Sequence, residues 1–335
     1  MLAVLTVVVV TSGVLMSCAS SSGANPKISY VKSPPSYAIP GPSSGCPSMA
    51  CASVLTSVAD GVKTRILPAK LTPTLVTAAS DLTVPQGGSC VSLGIPGLET
   101  NWEPCTWQSP AGSAAPKVVL LGESHAWQWS TSVASIAASS AYSFGLIYHA
   151  ACFISLTDLH LQVDNDTSDA ADAPVACHTW LEAAIKWVNS YDPQVVIVAA
   201  QPSWGNDEAT FLKGLAEVFE ALKAPGRRFA LIGGVPKLGQ LDVGAPCLAA
   251  HQRNVQACGA PYQNAVDITG IEGEISLARE VGAEYVNDIP WLCTTKMCPA
   301  VIGSYEVYED QAHITSTYAD YLTPVLKAAL RPVGL

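Results

Sequence analysis

Short apolar runs alternate with longer stretches of helical spacing along most of this chain. Residues 117–122 (KVVLLG), 144–148 (FGLIY), 195–200 (VVIVAA), 229–233 (FALIG) and 284–287 (EYVN) are the short runs. The best of them lack polar alternation, which marks strands covered on both faces, as in a parallel sheet. Between them the spacing predicts helices over 125–140, 179–190, 208–223, 270–281 and 315–330. The second carries Leu181, Ala184, Ile185 and Val188 on one face. Upstream, a short helix is expected over 54–67 and irregular chain over 68–75. Strands alternating with helices predict an α/β fold with a central parallel sheet. The chain shows no internal repeat and no dinucleotide-type glycine fingerprint.

The first 19 residues depart from this pattern. They carry no charge, and the first cation is Lys27. Such a run suits an uncleaved membrane helix, a cleaved or lipoprotein signal, or a buried segment. A signal peptide normally opens with a cationic region, absent here. Leu15-Met16-Ser17-Cys18 loosely resembles a lipoprotein cleavage site. The first two readings put the rest of the chain outside the cytoplasm. Residues 20–52 are rich in Ser, Pro and Gly and read as a linker. The expected organisation is an anchor or signal over 1–19, a linker over 20–52, an extension packed on the catalytic domain over 53–116, and the catalytic domain over 117–335.

Composition narrows the function. Of 335 residues, 13% are charged and 49% hydrophobic, which excludes a disordered chain. A net charge of −10 argues against an electrostatic nucleic-acid binder. Apart from 1–19, no segment is apolar for long enough to cross a bilayer.

There are 11 cysteines. Setting Cys18 aside, ten fall into sequential pairs: Cys46 with Cys51, Cys90 with Cys105, Cys152 with Cys177, Cys247 with Cys258, and Cys293 with Cys298. That pattern fits short-range disulfides in an oxidising compartment, although sequence alone leaves connectivity open. No pair has C-x-x-C spacing and no histidine cluster adjoins them, so neither a metal nor any other cofactor is expected.

Gly122-Glu123-Ser124-His125 stands where a buried strand gives way to a helix. In open α/β sheets, ligand sites lie outside the carboxyl ends of strands. Backbone N–H groups at the helix start are also placed to hold an oxyanion there. Near the other end, Asp310-Gln311-Ala312-His313 precedes the last helix. A serine hydroxyl needs a base to become a nucleophile, and a histidine base needs an orienting carboxylate. Ser124, His313 and Asp310 supply those three roles in that order. Taken alone, each motif is weak: the first reads more readily as a strand-to-helix turn and the second as an exposed loop.

At this point the chain resembles the SGNH (GDSL-like) hydrolase superfamily. It is most similar to the C-terminal SGNH domain of membrane acyltransferases of family 3. The resemblance rests on V-V-L-L-G-E-S-H-A with the distal D-x-x-H, and on Leu67-Pro-Ala-Lys-Leu-Thr-Pro-Thr-Leu75 followed by an Asp and then Cys90. Ala151-Cys152, Cys177 with Trp180, Trp291-Leu292-Cys293, Cys298 and Tyr308-Glu309-Asp310-Gln311-Ala312-His313-Ile314-Thr315 complete it. It runs over roughly residues 54–330. It implies an SGNH-type, flavodoxin-like three-layer sandwich stapled by disulfides, with Ser124 as nucleophile, His313 as general base and Asp310 as orienting acid. Glu123 stands where the family carries Asp. The Gly and Asn of the wider superfamily's oxyanion hole have no clean counterparts. Besides the Ser124 N–H, backbone donors near Ala151 or Cys152 are expected, with Trp204 and Asn206 as candidate oxyanion or substrate residues. His125 is expected to cap or pack. Trp127, Trp129, Trp204 and Trp291 suit either a sugar cleft or the core.

The implied activity is extracytoplasmic transfer of an acyl group, acetyl first, through an acyl-serine to a carbohydrate hydroxyl. Its partners would be a glycan acceptor, an acyl donor and a multi-span membrane acyltransferase, with no nucleic acid. With water as acceptor the same residues make an O-acetylesterase. An inactive SGNH fold used as a carbohydrate-binding module is the non-enzymatic alternative.

Overall fold

The computed structural model describes residues 48–95, 103–157, 173–201, 207–239 and 243–335. Residues 1–19, read as an anchor or signal, most of the stretch 20–52 read as a linker, Cys46, Trp204 and Asn206 lie outside these residues. In chain order the elements begin with α1 (Met49–Gly61), β1 (Ser89–Cys90), β2 (Cys105–Trp107), β3 (Lys117–Gly122), α2 (Ser124–Ser139), β4 (Ser143–Tyr148), α3 (Ala173–Tyr191), β5 (Val195–Ala199), α4 (Glu208–Ala221) and β6 (Arg228–Ile232). They continue with α5 (Ala245–Ala250), β7 (Ala260–Pro261), α6 (Tyr262–Ala265), α7 (Ile268–Val281), β8 (Ala283–Val286), α8 (Ile289–Leu292), β9 (Met297–Cys298), β10 (Val301–Ile302), β11 (Tyr305–Glu306), α9 (Ser316–Tyr321) and α10 (Thr323–Ala329).

The main sheet has the order β1-β2-β4-β3-β5-β6-β8. Its five parallel strands, numbered along the chain, stand in the order 2-1-3-4-5 of the flavodoxin-like doubly wound fold. Registers Gly122 with Tyr148, Gly122 with Ala199, Ala199 with Ile232, and Ile232 with Val286 set the carboxyl ends in one row. The order reverses between β3 and β5, which opens a crevice beyond their ends.

Alternation of side chains along β3 explains the layers. Val118 and Leu120 join Ile197 and Ile232 in a core closed by Val54 of α1, Trp129 and Val133 of α2, and Leu326 of α10. Val119 and Leu121 join Val198 and Leu231 on the opposite face, under Trp180 of α3, Val218 of α4 and Leu277 of α7. Each large side chain so buried stabilises the fold by roughly 1.5–3 kcal/mol. Both faces of β3 are therefore dry, and the helices form two outer layers.

Three differences from the sequence-based expectation have physical causes. The sheet is mixed: β2 runs antiparallel to β4, and β1 antiparallel to β2, with Cys90 directly opposite Cys105. Two- and three-residue strands are too short to show a period. The helix expected over 315–330 breaks at Leu322, because Pro324 opens α10 and has no N–H to continue α9. The helix expected over 54–67 starts at Met49, inside the stretch read as linker, where the Ser48 side chain caps it by accepting from the Cys51 N–H.

Four disulfides form among the described residues: Cys90–Cys105, Cys152–Cys177, Cys247–Cys258 and Cys293–Cys298. Cys51 is also disulfide-bonded. Among the described residues no helix is long and apolar enough to cross a membrane.

Candidate active site

Gly122 ends β3 in close contact with both neighbours. A Cβ there would lie 2.1 Å from the Ala199 carbonyl oxygen and 2.6 Å from the Ala126 Cβ. Only glycine lets α2 start this close above β5. Glu123 is the N-cap of α2, and Ser124 is its first residue. The Ser124 N–H donates no hydrogen bond among the described residues, as expected for a first-turn amide. It stands at the positive end of the α2 dipole.

The segment 310–313 arrives from the far end of the chain. Asp310 Oδ1 accepts from the N–H groups of Ala312 and His313, both at 2.8 Å. The same carboxylate lies 2.8–3.0 Å from His313 Nδ1. His313 Nε2 then stands 2.7 Å from Ser124 Oγ. The structure thus brings together Ser124, His313 and Asp310, the residues singled out for nucleophile, base and orienting acid.

Sequence reasoning missed how this loop is held. His125 Nε2 contacts the Ala312 carbonyl at 2.9 Å, and the Gln128 amide oxygen accepts from the Ile314 N–H at 2.9 Å. Ser124 and Gln128 are four residues apart and share a helix face. One turn of α2 therefore both presents the serine and clamps the histidine loop. The cap-or-pack role expected for His125 omits this bridge. Its signal was present as the spacing Glu123-x-His125, but only a tertiary contact reveals the carbonyl partner.

Glu123 is more central than its place outside the triad suggests. Its carboxylate accepts from Ser124 Oγ at 2.8 Å, from the His125 N–H at 3.0 Å and from the Gln201 N–H at 2.8 Å. It also meets His125 Nδ1 at 2.8 Å. It thereby ties the end of β3 to the end of β5 across the switch point. Burial pushes this carboxyl up, but the His125 charge and the hydrogen bonds from His125 and Ser124 outweigh it and hold it below the usual range.

The other groups divide in the same way. Burial raises Asp310, yet the hydrogen bond and charge of His313 and the two amides bring it below its ordinary value. Burial pulls His313 down, but Asp310 first, then Glu123 and Glu309, leave it above its ordinary value. Glu309 is pushed up to about 7 by burial and by the neighbouring Asp310 charge.

The remaining expected residues separate. Ala151 is exposed with φ 61°, and its N–H donates no hydrogen bond among the described residues. The Cys152 N–H, by contrast, donates to the His149 carbonyl at 3.2 Å and is already used, so the oxyanion expectation for Cys152 is corrected. Its side chain is in the disulfide with Cys177. Trp129 and Trp291 are buried in the core. Trp127 stacks on Tyr148 with ring centroids 5.6 Å apart. Among the described residues no group of three or more His, Cys, Asp or Glu converges to hold a metal ion.

A serine hydroxyl paired with an oriented imidazole, beside its own unused amide at a helix start, can form and resolve an acyl ester. Comparison with known proteins bears on this arrangement. The family model for the SGNH domain (fused to AT3 domains) matches residues 90–328. The periplasmic domain of a lipopolysaccharide acetyltransferase from Salmonella ser. Paratyphi A superposes with a TM-score of 0.50 at 15% identity, covering 66% of this chain and 85% of that one. That likeness is one of fold. A carbohydrate esterase family 2 enzyme with a carbohydrate-binding domain from Corynascus thermopiles (Myceliophthora fergusii) gives 0.38 at 10% identity, covering 69% and 70%. The esterase domain of a Rhodothermus marinus protein gives 0.31 at 12%, covering 69% and 93%. No curated protein matches the chain by sequence.

Proposed function

The chain belongs to the family of SGNH domains that occur fused to AT3 domains, and from that premise we propose that it transfers an acyl group, acetyl first, to a carbohydrate hydroxyl through an ester on Ser124. The observation that carries the proposal is the 2.7 Å contact between Ser124 Oγ and His313 Nε2, with Asp310 on the far ring nitrogen. Ser124 Oγ attacks the acyl carbonyl while His313 Nε2 takes its proton. Asp310 holds the ring in the right tautomer and stabilises the imidazolium; it stays ionised throughout. The negative oxygen of the tetrahedral intermediate meets the Ser124 N–H, with the Ala151 N–H as the second donor. Such donors are typically worth about 3–4 kcal/mol in the transition state. His313 returns the proton to the leaving group as its bond to the acyl carbon breaks, then takes a proton from the acceptor hydroxyl that attacks the acyl-serine and delivers it to Ser124 Oγ as the Ser124–acyl bond breaks.

Acetyl and carbohydrate enter from the family and from the acetyltransferase domain of like fold. The four disulfides support placement outside the cytoplasm. Relatives fused to AT3 domains support a membrane acyltransferase as the source of the acyl group, with residues 1–19 as the tether.

The test is labelling by a fluorophosphonate, followed by an acetyl balance. Wild type is expected to label, and Ser124→Ala to remain unlabelled. Incubation with a model acetyl ester and a sugar is then expected to give acetylated sugar in excess of free acetate. Acetate alone would make water the acceptor and the protein an esterase. Failure of the folded wild type to label would overturn the enzymatic reading.

A further inference from the structure

Beyond the ends of β5 and β6 lies a cavity of about 30 Å³, lined by Gln201, Gly234, Lys237, Asp267 and Glu274 among others. That is room for one hydroxyl-sized group. None of these side chains has a role in the chemistry described above.

Apolar Val235, Val266, Ile271 and Ile289 share the lining with a few polar groups, one of which is unsatisfied. Gln201 is 5% exposed, and its Oε1 is buried with no hydrogen-bond partner. A buried acceptor left unpaired is costly, so it calls for a donor. The Gln201 amide lies against Gly234, where a Cβ would stand 2.5 Å from Oε1. Glycine at 234 thus keeps the space that the amide occupies. Glu274 is 1% exposed and accepts from the Tyr285 hydroxyl at 2.7 Å. Burial takes its carboxyl up to about 8, so it stands neutral at pH 7. Lys237 supplies a cationic donor, and Asp267 an acceptor that also caps α7 through the Gly270 N–H.

Both walls of this cavity are bonded to the candidate active site. The Gln201 N–H donates to Glu123 Oε1, while Glu123 Oε2 accepts from Ser124 Oγ, each at 2.8 Å. The Leu238 N–H, one residue beyond Lys237, donates to the carbonyl of Gln311 at 2.9 Å, inside the loop that carries Asp310 and His313. Gln201 is thus linked through Glu123 to Ser124, and the chain beside Lys237 is linked to the loop that carries His313.

The chemistry selects the occupant. The lining presents an acceptor that needs a donor, beside a cationic donor. An anion would meet Asp267, and a cation would meet Lys237. A neutral group that both donates and accepts satisfies the lining. We propose that this cavity is an acceptor subsite that binds one hydroxyl of a neutral sugar while another hydroxyl of that sugar faces Ser124. The proposal rests on the carbohydrate reading given above.

The test is direct binding to the Ser124→Ala protein, in which turnover is removed. The probes are the methyl α-glycosides of glucose, galactose, mannose and rhamnose, each titrated while the Gln201 side-chain amide and the Gly234 amide are followed by NMR. At least one is expected to shift both signals. Adding Gln201→Leu is expected to weaken that glycoside about tenfold, while Gln201→Glu, which keeps an acceptor oxygen, retains most of the affinity. A deoxy analogue lacking the bound hydroxyl should lose affinity against Ser124→Ala but nothing further against the Gln201→Leu double variant. Thermal melts check that each variant is folded; should Gln201→Leu unfold, Gln201→Glu and the deoxy series carry the comparison. No shift with any glycoside, or no deoxy analogue that loses affinity, would overturn the proposal. Acylation of Ser124 is read separately in wild type. Sugar binding without acylation would sink the enzymatic reading and leave the subsite standing; acylation without sugar binding would do the reverse.

Discussion

Ser124 Oγ has two acceptors within reach, His313 Nε2 at 2.7 Å and Glu123 Oε2 at 2.8 Å, and a single proton to give. In the resting protein the two compete; only transfer to His313 makes a nucleophile that can be restored. Glu123 also contributes to raising His313 above its ordinary value, after Asp310. His313 acts as a base only when unprotonated. Hydrolysis of a model acetyl ester is therefore expected to fall as pH drops, with a midpoint above the ordinary histidine value of about 6.5. Glu123→Gln removes one of the charges that favour the imidazolium, so the midpoint should move to lower pH while kcat/KM falls about 10–100-fold. Asp310→Asn should cost about 10³–10⁴-fold, since the tautomer is lost. An unchanged pH profile in Glu123→Gln would show that the carboxylate only caps the helix.

Helix α2 ties the serine and the histidine loop together, so its defects should appear in stability and activity at once. Gln128→Leu leaves the buried Ile314 N–H without its acceptor. A loss of about 1–3 kcal/mol in chemical denaturation is expected, with reduced ester hydrolysis by the surviving fold. A Gln128→Leu protein as stable and active as wild type would mean that the clamp is redundant. Much of this element level was legible in advance. The runs 117–122 and 195–200 lie on the observed β3 and β5 because fully apolar strands announce themselves without a partner. Ser124 and His313 were legible as motifs because a strand-to-helix turn and a D-x-x-H spacing are local. The clamp through His125 and Gln128 was not, since its partners are the carbonyl of Ala312 and the amide of Ile314, nearly 190 residues away. The short strands β1 and β2 were also hidden: Cys90 and Cys105 read as a pair of cysteines, and their cross-strand register belongs to the folded sheet.

At the scale of the molecule, the fold keeps several carboxyl groups out of water. Glu274 and Glu306 are each raised to about 8 by burial first, and Asp288 is raised as well. A carboxyl whose folded value lies above its unfolded value binds its proton more tightly in the native state. The stability it brings is full below about pH 4.3 and is lost as pH rises toward 8. Tm is therefore expected to decline between pH 5 and 8, and Glu274→Gln to flatten part of that slope. A slope unchanged in the variant would show that Glu274 ionises freely. The bridge between Cys152 and Cys177 spans 25 residues and pins the loop after β4 to α3. Replacing both cysteines by serine is expected to cost roughly 3 kcal/mol, read from urea melts. These features set the Ser124 hydroxyl beside His313 at the end of β3. The most direct measurement is peptide mass spectrometry after brief acid quench of the protein with an activated acetyl ester. The account predicts a single added acetyl on the peptide containing Ser124, absent from Ser124→Ala and discharged faster when a sugar acceptor is present. An unmodified Ser124 in folded wild type, or acetyl carried equally by Ser124→Ala, would contradict it.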